Sequence, residues 1–595
     1  MLGTDSWTVV NPEWMWIVVV GFIVAFALAF GIGANDVANS FGSSVGAKVL
    51  TLKQACILAT IFEILGSVLI GAKVSDTIRK GIISVELFPN GTEPEFMVGN
   101  LAALSGSCIW MLVASLLKLP VSATHSIVGA TLGFSLVIHG VAGVNWKQLG
   151  FIVGSWFASP VLSGAISTAI FFFLIKTVLS KAHPLEPGLM LLPLFYGITI
   201  AINFFSIFYN GSQLLHFDKI PLYGTFILTF GSAIIVAIVV RFLVVPWQRK
   251  KINNHVQFLL KQKEEEGLLE SDKNWLQEKC SDQESIQAHS KESQAYKAQL
   301  AGLHKGANLV PDFTSTPAKQ RLPDGVDDTN VDEQILAASV VSLSSKTYSL
   351  ASKAPLIMPE KKKHKKEKLG AIKDEVKDVI VANGEIVTKE TNGNANVSGS
   401  SGSLSDEISV NSEDERRERA RAEIHDTPEC QSLFSFLQVL TAVFGSFAHG
   451  GNDVSNAIGP LVALWITATT GSAAQKAPVP IWILLLGGLG ISVGLWVLGR
   501  RVMKTLGEDL TKITPSSGFC IEVGSALTVL IASNIGIPIS TTHCKVGSIV
   551  FVGWFRSRAG VDWKLFRNII IAWFVTLPIA GGLSAGFMAA LRYAV

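Results

Sequence analysis

Along this chain, long apolar runs alternate with short polar breaks, and most of the runs are as long as a membrane crossing. Seven precede residue 246, at about 15–34, 54–72, 98–117, 124–140, 150–177, 189–210 and 222–245. Five more follow, at about 433–449, 479–499, 518–535, 541–555 and 566–591. A helix needs about 20 apolar residues to cross a ~30 Å hydrocarbon core. The pattern therefore predicts an all-α polytopic membrane protein with about 12 transmembrane helices. The short strands of alternating polarity that build a membrane barrel are not seen. The first run follows acidic and polar residues rather than a basic stretch, so it reads as a span and not as a cleaved leader.

The charge sits elsewhere. Only 16% of the 595 residues are charged, against roughly 25% in an average soluble protein, and they concentrate in the middle of the chain. Residues 246–431 contain KQKEEE (261–266), KKKHKKEK (361–368), NGNANVSGSSGSLS (392–405) and EDERRERARAE (413–423). Such a composition cannot bury enough apolar surface to offset its ordering entropy. It predicts a long, mostly disordered loop between two membrane regions, 1–245 and 432–595. Lys/Arg placement orients the whole. RKK (249–251), RR (500–501) and RSR (556–558) put the loop in the cytoplasm and both termini outside. The same count leaves 75–97 outside, where Asn90-Gly91-Thr92 is an N-glycosylation acceptor. The six cysteines have no metal-ligand spacing and no disulfide pattern.

Two polar motifs recur. GANDVANSFG (33–42) aligns with GGNDVSNAIG (450–459) at an offset of 417, and LPVSATHSIVG (119–129) aligns with IPISTTHCKVG (537–547) at 418. Two motifs in one order at nearly one offset imply a duplication. Seven apolar runs separate equivalent points, and an odd number reverses the second copy. Two inverted repeats with broken or re-entrant helices are a transporter plan, with the site near the midplane.

Asn35, Asp36 and Asn39, with Asn452, Asp453 and Asn456, offer clustered carboxylate and amide oxygens, which suit a hard cation such as sodium rather than a transition metal. The plainer reading is that they glue helices together or cap their ends. Ser122 and Thr124, with Ser540, Thr541 and Thr542, place hydroxyls at helix starts, where free N–H groups favour an anion. The plainer reading there is ordinary capping. His125 and His543 read as packing residues. Glu63 and Glu522 interrupt apolar runs, where an acid marks function or bonds a neighbouring helix. Neither has an acidic counterpart in the other copy. No Lys or Arg lies within the Asn/Asp motif, and aspartates repel a bare dianion. They accept an anion that carries its own protons, or join it through cations. Dihydrogen phosphate meets both conditions.

The paired motifs, with QACILATIFE (54–63) and TPSSGFCIE (514–522), resemble the inorganic phosphate transporter family, its eukaryotic sodium-dependent members above all. The resemblance covers both membrane regions. It implies sodium-coupled phosphate uptake at the plasma membrane, with no further cofactor. It implies ion- and phosphate-binding roles for Asn35, Asp36, Glu63, Asn452, Asp453, Glu522 and the hydroxyls of the paired motifs. It also implies a homodimer, and a retroviral envelope protein as partner of some relatives. A phosphate-permeable channel and a phosphate-sensing receptor remain as alternatives. An enzyme and a nucleic-acid partner are not expected, since no nucleotide loop, metal cluster or activated nucleophile is present.

Overall fold

The computed structural model describes residues 10–36, 38–209, 215–280, 381–382, 385–386, 414–504, 507 and 509–595. By contact the chain divides into residues 1–270 with 401–595, and residues 271–400. The second unit contains a two-residue antiparallel pair, Val381–Ala382 with Glu385–Ile386. Most of the expected central loop lies outside the described residues.

The first unit is helical. Its elements before the loop are α1 (Met15–Asp36), α2 (Ala38–Gly46), α3 (Leu52–Lys80), α4 (Glu93–Leu116), α5 (Ala123–His139), α6 (Trp146–Leu174), α7 (Leu185–Phe208), α8 (Leu222–Val239) and α9 (Val245–Cys280). After the loop come α10 (Pro428–Thr470), α11 (Ile481–Leu498), α12 (Pro515–Ile535), α13 (Thr541–Arg556) and α14 (Trp563–Leu591). Among the described residues, eleven helices are long and apolar enough to cross a membrane. The remaining apolar run, 541–555, forms α13, whose 16 residues reach only about 24 Å.

The packing reveals the inversion. Gly450 of α10 lies on Glu63 of α3, and Gly459 on Ile78, so these helices run the same way. Their counterparts do likewise: Phe22 of α1 stacks on Trp482 of α11, and Gly494 lies on Phe30. Ser67 donates to the Leu484 carbonyl while Gly488 packs on Ile64, so α3 and α11 are opposed. It follows that α1 and α10, which carry the two copies of the motif, are antiparallel. Gly33 and Gly450, just before each Asn-Asp pair, show why no side chain is tolerated there. A Cβ at Gly33 would sit 1.9 Å from the Ile491 carbonyl oxygen, and one at Gly450 2.2 Å from that of Glu63.

α4–α5 and α12–α13 are hairpins. The outer ends of the first are tied by the Ile83–Val144 bridge. α5 lies along α14, with Gly129 on Leu577 and Gly133 on Gly581. α13 lies along α6 in the same manner, with Gly547 on Pro160 and Phe551 on Gly164. The two hairpins therefore approach from opposite ends of the bundle. Their tips touch: Thr124 Oγ1 donates to the Ile539 carbonyl at 2.9 Å and Thr542 Oγ1 to the Val121 carbonyl at 3.0 Å. Hairpins that enter from opposite ends and meet each stop partway. The runs at 98–117, 124–140, 518–535 and 541–555 thus form two hairpins whose tips meet inside the bundle.

Structure also reaches into both ends of the expected loop. The last span of the first region continues as α9 to Cys280. A short helix at 414–422 is pinned to the membrane unit. Arg417 pairs with Asp562 at 2.9 Å, Arg421 donates to the Asp509 and Gly560 carbonyls, and Asp426 accepts from Ser516 N at 3.0 Å. Half-burial pulls the Arg421 guanidinium below its ordinary pKa. Residues 414–427 lie at the end of the bundle where α3 and α10 begin. The exposed Asn90, between α3 and α4, lies at the opposite end.

Candidate functional site

Where the tips meet, each Asn/Asp motif holds both hairpins. Asn35 Nδ2 donates to the Leu119 carbonyl at 2.8 Å, and Asn35 Oδ1 accepts from Val121 N at 3.2 Å. Asn39 Nδ2 crosses to the other hairpin and donates to Thr542 Oγ1 at 2.9 Å. The second copy repeats the arrangement. Asn452 Nδ2 donates to the Ile539 carbonyl at 2.8 Å, and Asn456 Nδ2 crosses to Thr124 Oγ1 at 3.1 Å. In each copy the first asparagine holds its own hairpin and the second holds the other. The amide nitrogens tie the tips together, as the gluing reading has it, while several oxygens are left over.

Those leftover oxygens define the centre. Asp36 Oδ1, Asn39 Oδ1, Asn452 Oδ1 and Asn456 Oδ1 are buried without a hydrogen-bond partner. Asp36 Oδ2 accepts only a 3.3 Å bond from Ala123 N. An unsatisfied buried acceptor costs about 1–3 kcal/mol, so four within one small region call for a ligand that supplies positive charge or protons. Ligand atoms of Asp36, Asp453 and His449 all lie within 4.8 Å of one another. His449 Nδ1 sits 2.8 Å from Glu63 Oε2, and its Nε2 sits 3.2 Å from Asp453 Oδ2. Ser446 Oγ donates to Glu63 Oε1 at 2.9 Å. Three carboxyl groups share one imidazole. With the acids ionised the cluster is negative even when His449 carries a proton, which favours cations.

The hydroxyls of the paired motifs surround this centre. Ser122 Oγ accepts from His125 N at 3.3 Å and Ser540 Oγ from His543 N at 3.1 Å, each capping a helix start. An accepting serine keeps its own proton free to donate, so capping does not exclude anion contact. Thr124 and Thr542 spend their protons on the tip-to-tip bonds, and Thr541 Oγ1 lies 3.4 Å from Asn39 Nδ2. His125 and His543 pack as expected. They stand with rings 4.5 Å apart between Trp156 and Trp573, each of which lies 3.7 Å from its own histidine.

Glu522, on α12, meets α2 one turn beyond Asn39. Its Oε1 accepts from Ser43 Oγ at 2.6 Å and Ser44 Oγ at 2.7 Å, and its Oε2 accepts from Thr441 Oγ1. Sequence reasoning missed Ser43, Ser44, Gln438, Thr441, Ser446, His449 and Lys545. Two of these carried a signal. His449 lies four residues before Asp453 on one helix, which places both on one face. Lys545 is a cation inside an apolar run, the feature that singled out Glu63 and Glu522.

The model of the phosphate transporter family matches residues 32–584. Sodium-dependent phosphate transporter 1 of Homo sapiens is 44% identical, over 98% of this chain and 97% of its own length. Sodium-dependent phosphate transporter 2 of Xenopus tropicalis is 44% identical, over 98% of this chain and 99% of its own. A solved structure described as the sodium-dependent phosphate transporter aligns over 98% of this chain and 100% of that one. Its TM-score is 0.64 at 29% identity.

Proposed function

Since the chain belongs to the phosphate transporter family, we propose that it is a multi-pass secondary carrier that imports inorganic phosphate together with sodium. The observation that carries this reading is the set of buried, unpartnered oxygens where the two hairpin tips meet. Asp36 and Asp453 accept hydrogen bonds from the protons that dihydrogen phosphate keeps. Ser122, Thr124, Ser540, Thr541 and Thr542 line its oxygens, beside the helix starts of α5 and α13. Sodium ions take the carboxylate and amide oxygens of Asn35, Asp36, Asn39, Asn452, Asp453 and Asn456, with Glu63 and Glu522 as outlying acids. Two sodium ions with one singly charged phosphate carry one positive charge inward. A membrane potential then assists by ~2.3 kcal/mol per 100 mV.

Alternating access follows from the same geometry. Each hairpin tip meets the other repeat as well as its own, so rocking one against the other opens the centre to one side at a time. The orientation read from Lys/Arg placement puts residues 414–427 in the cytoplasm, and Asn90, with a glycan, outside with both termini. The plasma membrane is the location that this reading implies. A homodimer, and a retroviral envelope protein as an outside partner, are what the family resemblance suggests. In sealed vesicles, a sodium gradient should drive labelled phosphate uphill, with lithium and proton gradients weaker. Phosphate that only runs down its own gradient would mean a channel. Uptake that rises with pH across the phosphate titration, at fixed total phosphate, would count against the singly charged species.

A further inference from the structure

Lys545 is 2% exposed and lies on α13, one turn past Thr541. A buried ammonium in a membrane span is costly unless it is compensated. It makes no direct ion pair among the described residues. Instead Lys545 Nζ donates to Ser43 Oγ at 2.9 Å, and the same hydroxyl donates to Glu522 Oε1 at 2.6 Å. Ser43 thus relays between a cation and a carboxylate. Around that carboxylate stand Ser44, Thr441 and Gln438, and Gln438 Oε1 has no partner. These are hard oxygens of the kind that sodium takes. The cluster is joined to the central site by consecutive turns of two helices: Asn39 and Ser43 on α2 face Thr542 and Lys545 on α13. One turn further along α2, Gly46, Ala47 and Lys48 line a cavity of about 500 Å³ beside Arg421 and His425.

We propose that Lys545 is a tethered cation that competes with a transported sodium ion for the Glu522 oxygens. With the ammonium on Ser43, the cluster is closed to sodium. With it withdrawn, Glu522, Ser44, Thr441 and Gln438 form a way-station between the centre and the cavity. Lys545 is therefore a positioning residue that speeds sodium release. The inference rests on the sodium-coupled reading above.

The test is the sodium-activation curve of phosphate uptake in vesicles holding equal amounts of full-length protein. Lys545→Met should lower half-saturating sodium by about ten-fold, which is ~1.4 kcal/mol, the scale of one charge-assisted bond. The maximal rate should fall with it, because release is slowed. Ser43→Ala cuts the relay and keeps both charges. It should shift the curve the same way, and it serves if Lys545→Met does not reach the membrane. In a Glu522→Gln background, Lys545→Met should shift nothing. An unshifted curve in both single variants, or a full shift that persists with Glu522→Gln, overturns the proposal. If wild-type vesicles take up phosphate without sodium, the parent reading fails instead.

Discussion

The two sides of the central site are built from equivalent helices, yet they differ in chemistry. Toward residues 414–427 stand Glu63, His449, Ser446, Ser43, Ser44, Thr441, Glu522 and Lys545. Toward Asn90, the duplication puts apolar residues at the matching positions. At the motif offsets, His449 corresponds to Ile32, Ser446 to Ala29 and Thr441 to Val24, while Ser43 and Ser44 correspond to Pro460 and Leu461. Glu522 corresponds to Leu104 and Lys545 to Ile127. Ile491 stands where Glu63 does, as the paired glycine contacts require. The centre itself is close to symmetric, with four asparagines, two aspartates and two hydroxyl-bearing tips. An inverted repeat with identical flanks would present the same path to both faces. Here the sequence has kept the shared centre and placed polar residues on one flank where the other has apolar ones.

Three measurements would break or sharpen that comparison. The largest effect belongs to the centre. Asp36→Asn and Asp453→Asn should each lower sodium-driven phosphate uptake by about 100-fold or more, because each removes a buried charge from the proposed site. Uptake is to be normalised to surface protein by biotinylation. Normal uptake in either variant would remove that residue from the site, and a large difference between them would end the claim of symmetry. Thr124→Val and Thr542→Val come next. Each deletes one tip-to-tip bond worth about 1 kcal/mol, so uptake should fall by roughly ten-fold or less and to a similar extent in both. A loss confined to one would mean that only one tip carries load. The smallest effect belongs to the loop at the far end. Asn90→Gln should leave uptake within about two-fold of wild type and abolish a glycosidase-sensitive mobility shift. No shift in the wild type would count against the outside assignment of that end.

Much of this was legible beforehand. Duplicated motifs gave the repeat, an odd number of runs gave the inversion, and polar residues inside apolar runs marked Asp36, Glu63, Asp453 and Glu522. Hydropathy could not distinguish a crossing from a hairpin arm, because both must be apolar where they touch lipid. Pro120 and Pro538 marked the breaks without showing that Val121 and Ile539 lie against the opposite tips. The double use of the asparagines was equally hidden, since Asn39 finds Thr542 only once the second copy is in place. Ser43 and Ser44 looked like ordinary small residues of an apolar helix. Their role depends on Glu522, which comes 479 and 478 residues later.

Those separations set a problem for synthesis. Thr124 bonds to Ile539 across 415 residues of chain, and Asn39 to Thr542 across 503. At about 5–20 residues per second, the first tip is made ~20–80 s before its partner leaves the ribosome. During that interval Asn39 and the tip of the first hairpin, Val121 and Thr124, are in or beside the bilayer without their hydrogen-bond partners from the second half. The nascent first half therefore has to be shielded by water, lipid headgroups or the insertion machinery until the second half arrives to close it.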